Sequence, residues 1–339
     1  MNLFKSELRR LMRRRLSLIF GILAVVGLLV LSGVYWFSSS QGPSEEDLAW
    51  AQGEADEMNG EHAECIGDPA FFDSPEWEWV HEDSAFEDMS HEDRCMNFVG
   101  SGDYTYTAQD FLYVYTFTFA DESPMTLIGV AIVAGLIMML LASSAIGAEW
   151  SSGGMANLLV WHPNRMRVWG AKLAAACTVC AAAVVGLLVL AFGLLYLTAV
   201  VRGSVGTLDS AWWEDNLEML GRAVILSLGM TVLGASLAML GRHTAIAGGI
   251  IAGYLIIGDM LVRFAAMALQ MKFPDRLSLY TWVGAWIDGK IELHDWSDVN
   301  AMQPDVMVIT ASEAGLLLGG IILGLTLLAT LAFQRRDVA

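Results

Sequence analysis

Residues 284–291, Gly-Ala-Trp-Ile-Asp-Gly-Lys-Ile, fit the G-x-x-x-x-G-K frame of a loop that cradles phosphate on backbone N–H groups. That chemistry also needs a Ser or Thr hydroxyl on magnesium, and Ile291 stands there instead. Asp288 adds a negative charge beside the would-be cradle, and no buried strand precedes it. The segment is rejected as a nucleotide site, and no other phosphate loop occurs in the chain. His62, His81 and His91 lie among carboxylates, the donor types of a zinc or copper site. None has the H-x-x-x-H or H-E-x-x-H spacing that sets two ligands on one helical face, so no metal site is assigned. A metallo-enzyme built on them would carry bound metal when purified. No G-x-S-x-G elbow appears, and the apolar runs supply no nucleophile and base pair. The chain is expected not to be an enzyme and to hold no cofactor of its own.

The four cysteines divide by surroundings. Cys65 and Cys95 lie in one long polar segment, where a disulfide is expected, closing a loop whose restriction is worth about 3 to 4 kcal/mol in the chain-entropy model. Cys177 and Cys180 form a Cys-x-x-Cys, yet they sit inside Ala-Ala-Ala-Cys-Thr-Val-Cys-Ala-Ala-Ala, an apolar helix where desolvation keeps thiols protonated and inert. Asp259 and Arg263, four residues apart in another apolar run, are read as an intramembrane charged pair.

These groups are positioned by a chain that is 55% hydrophobic and 17% charged, a balance that points to a membrane protein. Leu16–Phe37, Met125–Ile146, Leu173–Leu197, Met219–Leu240, Thr244–Ala268 and Ala314–Phe333 are each long enough to cross roughly 30 Å of hydrocarbon. The expected class is all-α with six transmembrane helices. Gly249-x-x-x-Gly253 and Gly320-x-x-x-Gly324 offer close helix approach. Cations cluster on one side of the spans: Lys5, Arg9, Arg10 and Arg13 to Arg15 before the first, then Arg165, Arg167, Lys172, Arg242, Arg335 and Arg336 in short segments. By the positive-inside rule, both termini are cytoplasmic.

The net charge of −18 is concentrated in residues 39–123, which hold 22 Asp or Glu residues against Arg94 alone. Nucleic acid is excluded as a partner, because counterion release needs clustered cations. Residues 38–124 are read as a small acidic extracytoplasmic domain, with the Tyr/Thr/Phe alternation from Phe111 to Phe119 forming a strand into the second span. Residues 199–218 and 269–313 are outer loops rich in Trp and acids. Residues 1–15 are read as an amphipathic helix, with Phe4, Leu8, Leu11 and Met12 at helical spacing among Arg and Lys. Residues 125–339 hold the remaining spans.

Residues 147–172 form the longest inner connection. Gly153 and Gly154 permit a sharp turn, Met155, Leu158 and Leu159 give a short helix an apolar face, and Pro163 halts it. Arg165, Arg167 and Lys172 then fall at the headgroup level. The order Glu149, Gly153, Leu158, Leu159, Pro163, Arg165, Gly170, Lys172 resembles the signature of ABC-2 type transporter permeases: an acid closing the second helix, Gly-Thr-x-x-x-Leu-Leu, then Pro-x-Arg and Gly-x-Lys entering the third. Gly154 stands where that family has Thr, and the acidic insert exceeds its minimal pattern. The resemblance implies the transmembrane subunit of a bacterial plasma-membrane exporter, paired with a second permease copy or a related permease. It also implies a separate ABC ATP-binding subunit, which holds ATP and magnesium and grips the segment from Glu149 through Gly153, Gly154, Leu158, Leu159 and Pro163 to Arg165 and Lys172. Residues Phe4 to Arg15 would be the connecting helix. The competing expectation is a membrane-anchored sensor or immunity-type protein that binds through its acidic outer domain.

Overall fold

A computed structural model describes residues 3–74, 77, 89–99, 105–112, 115–295 and 303–335. Six helices are long and apolar enough to cross a membrane: α2 (Arg15–Ser38), α6 (Phe119–Ser151), α8 (Arg165–Arg202), α9 (Ser210–Gly241), α10 (Thr244–Ala268) and α12 (Ala311–Arg335). All six coincide with an expected run. Helices α6, α8 and α9 outrun it by six or more residues at their N-terminal ends, because backbone hydrogen bonding continues past the point where side chains turn polar. Helix α8, with 38 residues, is about 57 Å long at 1.5 Å per residue. Helix α6 runs back through Pro124 to Phe119. Proline lacks the N–H that would serve the Ala120 carbonyl, and Trp212 Nε1–H donates to that oxygen instead at 2.8 Å. Shorter helices are α1 (Leu3–Met12), α3 (Glu45–Gly67), α4 (His91–Phe98), α5 (Ala108–Phe111), α7 (Gly154–Trp161) and α11 (Leu279–Asp288).

To the expected helices the structure adds one antiparallel hairpin, β1 (Lys290–Asp295) and β2 (Asp305–Thr310), in register from Lys290 opposite Thr310 to Asp295 opposite Asp305. Lys-Ile-Glu-Leu-His-Asp alternates apolar and polar residues with period two, as a half-buried strand does, and in Asp-Val-Met-Val-Ile-Thr, apolar at all four inner positions, the same alternation shows in the burial of Met307 and Ile309. Only one face is covered: Leu293 and Ile309 join Ala285 and Ala314 in a small core.

The chain forms two compact units. One comprises residues 36–117 with 202–204. Its helix α3 starts at Ser44, whose hydroxyl accepts from Asp47 N while the Asp47 carboxylate accepts from Ser44 N, a reciprocal cap. The exposed Asp47 carboxyl is held below its usual range chiefly by the Ser44 hydroxyl. Cys65, Phe72, Cys95 and Val99 make this unit's core, and Cys65 and Cys95 form the expected disulfide. Reducing it is expected to lower the stability of this unit by about 3 to 4 kcal/mol. Limited proteolysis with and without reductant measures that as faster cleavage within residues 36–117. The strand expected over Phe111–Phe119 does not form: α5 ends at Phe111 and α6 begins at Phe119. Residues 113–114 lie outside the described residues. Tyr115 O and Phe117 O accept from Ser40 N and Ser204 N, and no ladder runs along this segment among the described residues.

The other unit comprises residues 1–35, 118–201 and 205–339, and its centre is the α6–α9 seam. Ser227 Oγ donates to Ala131 O and Ser143 Oγ to Gly234 O, both at 2.9 Å. Gly234 lets the backbones meet, since a Cβ there would stand 2.3 Å from Met139 O. The two G-x-x-x-G pairs play no such part: Cβ atoms at Gly249, Gly253, Gly320 and Gly324 would meet nothing within 4 Å. A spacing rule identifies a face, and these faces are uncovered among the described residues.

Candidate functional site

The connection from α6 to α8 is an elbow. Helix α6 ends at Ser151, and Gly153 turns the chain with φ 71°, a left-handed conformation that glycine adopts at no steric cost. Helix α7 then runs only two turns. Met155 is fully buried, and Leu158 and Leu159 pack on the same cluster, which includes Ala145, Ile146, Val168 and Trp169. The opposite side is bare: Val160 and Trp161 are 79% and 78% exposed. Gly154, in the place of Thr, has Ser152 Oγ 3.4 Å from where a Cβ would be, so a side chain fits there at van der Waals contact.

Pro163 follows the last helical turn, and Asn164 starts the next helix by accepting from Arg167 N at 3.0 Å. Arg165 Nη1 donates to Phe333 O at 2.8 Å and Gln334 O at 3.1 Å. A cation there satisfies carbonyls left open at the end of α12 and complements its dipole. The elbow is thereby fastened to the last helix as well as to the two it joins.

Beneath the elbow sits a cluster of charge. Lys172 is 4% exposed and its Nζ donates to Glu149 Oε2 at 2.5 Å and Glu7 Oε2 at 2.9 Å. Arg10 Nη1 stands 3.3 Å from Glu149 Oε1 and 3.7 Å from Glu7 Oε1. Arg14 donates to Ser144 O at 3.2 Å and Ala145 O at 3.1 Å, near the end of α6. Burial draws the Arg14 guanidinium below its ordinary value, and Glu149 opposes that shift. A pocket of about 20 Å³ lies among these side chains, space for about one water. Two buried carboxylates with cations on either side satisfy the rule that buried charges are paired. The same pairing binds α1, α6 and α8 at one point.

Sequence reasoning singled out Glu149 and Lys172 but passed over Glu7. Of the expected apolar stripe, Phe4, Leu8 and Leu11 pack on the bundle cluster, whereas Met12 is exposed. Glu7 takes its place on the buried face, three residues after Phe4 and four before Leu11. The stripe thus meets protein, with Glu7 as its one charged member.

The Asp259–Arg263 pair is also corrected. Asp259, 7% exposed, accepts from Tyr254 Oη at 2.9 Å and Ser278 Oγ at 2.7 Å. Arg263, half exposed, pairs with Asp275 at 2.7 Å. The π turn over Tyr254–Gly258 precedes Asp259 and brings the tyrosine hydroxyl to it. Arg263 lies one turn on, where its long stem carries the charge outward. In residues 284–291 the order is helix, Gly289 turn, strand, the reverse of a phosphate loop, and Lys290 pairs with Glu292 at 3.0 Å. His81 lies outside the described residues. His62 and His91 fall on α3 and α4, and His91 stands beside the disulfide, with Nε2 2.7 Å from Cys65 O.

A family model described as "ABC-2 family transporter protein" matches residues 1–338. No curated protein and no solved structure matches the chain.

Proposed function

The chain belongs to the ABC-2 transporter family and is a multi-pass membrane permease, and from that premise we propose that a separately supplied ATP-binding subunit drives it as one half of an exporter. The observation that carries this reading is the elbow itself. Helix α7 presents Val160 and Trp161 outward from a base fastened at Lys172 to α1 and α6 and at Arg165 to α12. A two-turn helix so tethered transmits a push instead of absorbing it. For ATP to change the arrangement of the spans, it must stabilise one arrangement more than the other, and a stiff projecting contact supplies that difference.

The remaining parts follow from the same reading. The cations beside α1, α8 and α9 hold this end in the cytoplasm, with both termini there. The acidic unit then faces outward across the bacterial plasma membrane, where a disulfide persists and a negative surface gathers cationic solutes. ATP and magnesium belong to the partner subunit. A second permease, either another copy or a related chain, completes the pathway.

The test is Trp161→Ala in the assembled complex. An exposed tryptophan contributes little to the chain's own fold. Buried in a partner's cleft it is the residue type whose truncation costs 2 kcal/mol or more. Affinity for the ATP-binding subunit is expected to fall by about thirtyfold, while the permease keeps its elution profile and thermal midpoint. Unchanged affinity and unchanged stimulation of ATP hydrolysis would show that α7 is not the grip.

A further inference from the structure

In the acidic unit, Cys65, Cys95 and His91 bring two sulfurs and an imidazole nitrogen within 4.8 Å of one another. Both cysteines are fully buried. His91 and Cys95 are four residues apart on α4 and so share a face. The ring of Phe72 packs edge-on to the imidazole at 5.8 Å. Bonds of about 2.3 Å to sulfur and about 2.0–2.1 Å to nitrogen, at a tetrahedral angle, put those two atoms about 3.6 Å apart. His91 Nε2 and Cys95 Sγ are 3.6 Å apart. One turn before Cys65 on α3, His62 has a buried Nε2 with no hydrogen-bond partner among the described residues, a further imidazole on the same face of that helix.

We propose that this cluster is a redox-gated site for a borderline-soft divalent cation of the zinc type, closed while the disulfide stands and opened by its reduction. A dithiol reductant gives two electrons and two protons to the S–S bond, leaving two cysteine thiols and the reductant's own disulfide. The cation then expels both thiol protons and binds two thiolates. His91 gives the third bond from Nε2, whose proton, now donated to the Cys65 carbonyl, moves to Nδ1. The acidic residues around the unit raise the local concentration of cations. This inference needs no ATP-binding partner, and the site opens wherever a dithiol reductant reaches the unit.

The experiment uses the full-length protein in detergent with Cys177→Ala and Cys180→Ala, which removes the other two thiols. After reduction and anaerobic removal of the reductant, the protein is titrated with Co²⁺ and then Zn²⁺. One equivalent of Co²⁺ is expected to give thiolate-to-cobalt charge-transfer absorption that Zn²⁺ abolishes. The oxidised protein and a Cys65→Ser/Cys95→Ser variant give none. His91→Ala keeps the disulfide, so its fold is checked by protease resistance before reduction; once reduced, its Co²⁺ affinity falls at least tenfold. No such absorption in the reduced protein, equal absorption in the oxidised protein, or affinity unmoved by His91→Ala would each overturn the proposal.

Discussion

Lys172→Met lowers the stability of the bundle by about 3–5 kcal/mol, the cost of stranding a buried charge by removing its partner. Two nearly inaccessible carboxylates, Glu7 and Glu149, share that one ammonium. Arg10 reaches both only at longer range and from a half-exposed position. Thermal unfolding in detergent, followed by loss of the monodisperse elution peak, reads the effect. The triple variant Glu7→Gln/Glu149→Gln/Lys172→Met returns most of the loss, because with the charges gone only an amide pair remains to be hydrogen-bonded. If the single variant and the triple variant unfold at the same temperature, the cluster is not held together by charge.

Gly234→Ala costs about 3 kcal/mol, the upper part of the range for overpacking, whereas Gly249→Ala is neutral or stabilises by up to about 1 kcal/mol through helix propensity. A methyl group at position 234 would stand 2.3 Å from Met139 O and 2.8 Å from Ser143 Oγ. The first of these is backbone and cannot swing aside. At Gly249 nothing lies within 4 Å. The paired comparison is made by the same unfolding assay. Equal effects at the two positions would mean that α6 and α9 are not in backbone contact.

The six spans were legible because a long apolar run has few alternatives in a chain this hydrophobic, and the Cys65–Cys95 bridge because both cysteines share one polar segment. Glu7 was less visible. It sits in a run dominated by arginine, and only its place between Phe4 and Leu11 on one helical face marks it as buried. The glycines show a different limit: spacing names the face of a helix but not which face a neighbour covers, so Gly249 and Gly320 drew attention that Gly234 deserved on contact distance. The hairpin was missed for a third reason. Lys-Ile-Glu-Leu-His-Asp is short and lies in a stretch dominated by tryptophan and acids, and its partner strand begins ten residues further on. At the elbow, residue types gave the turn and the stop, while the exposure of Trp161 depends on which side of α7 Met155 and Leu158 occupy.

With hydroxyls bridging both ways and bare backbone at the crossing, α6 and α9 behave as a single girder. Bending one without the other would break Ser227–Ala131 and Ser143–Gly234 together. Any change of shape has to be taken up by helices seated more loosely, and α2 is such a helix, its inward side bordering an apolar groove of about 690 Å³ with α6. The molecule is thus divided between a frame that carries load and a flank that yields to it.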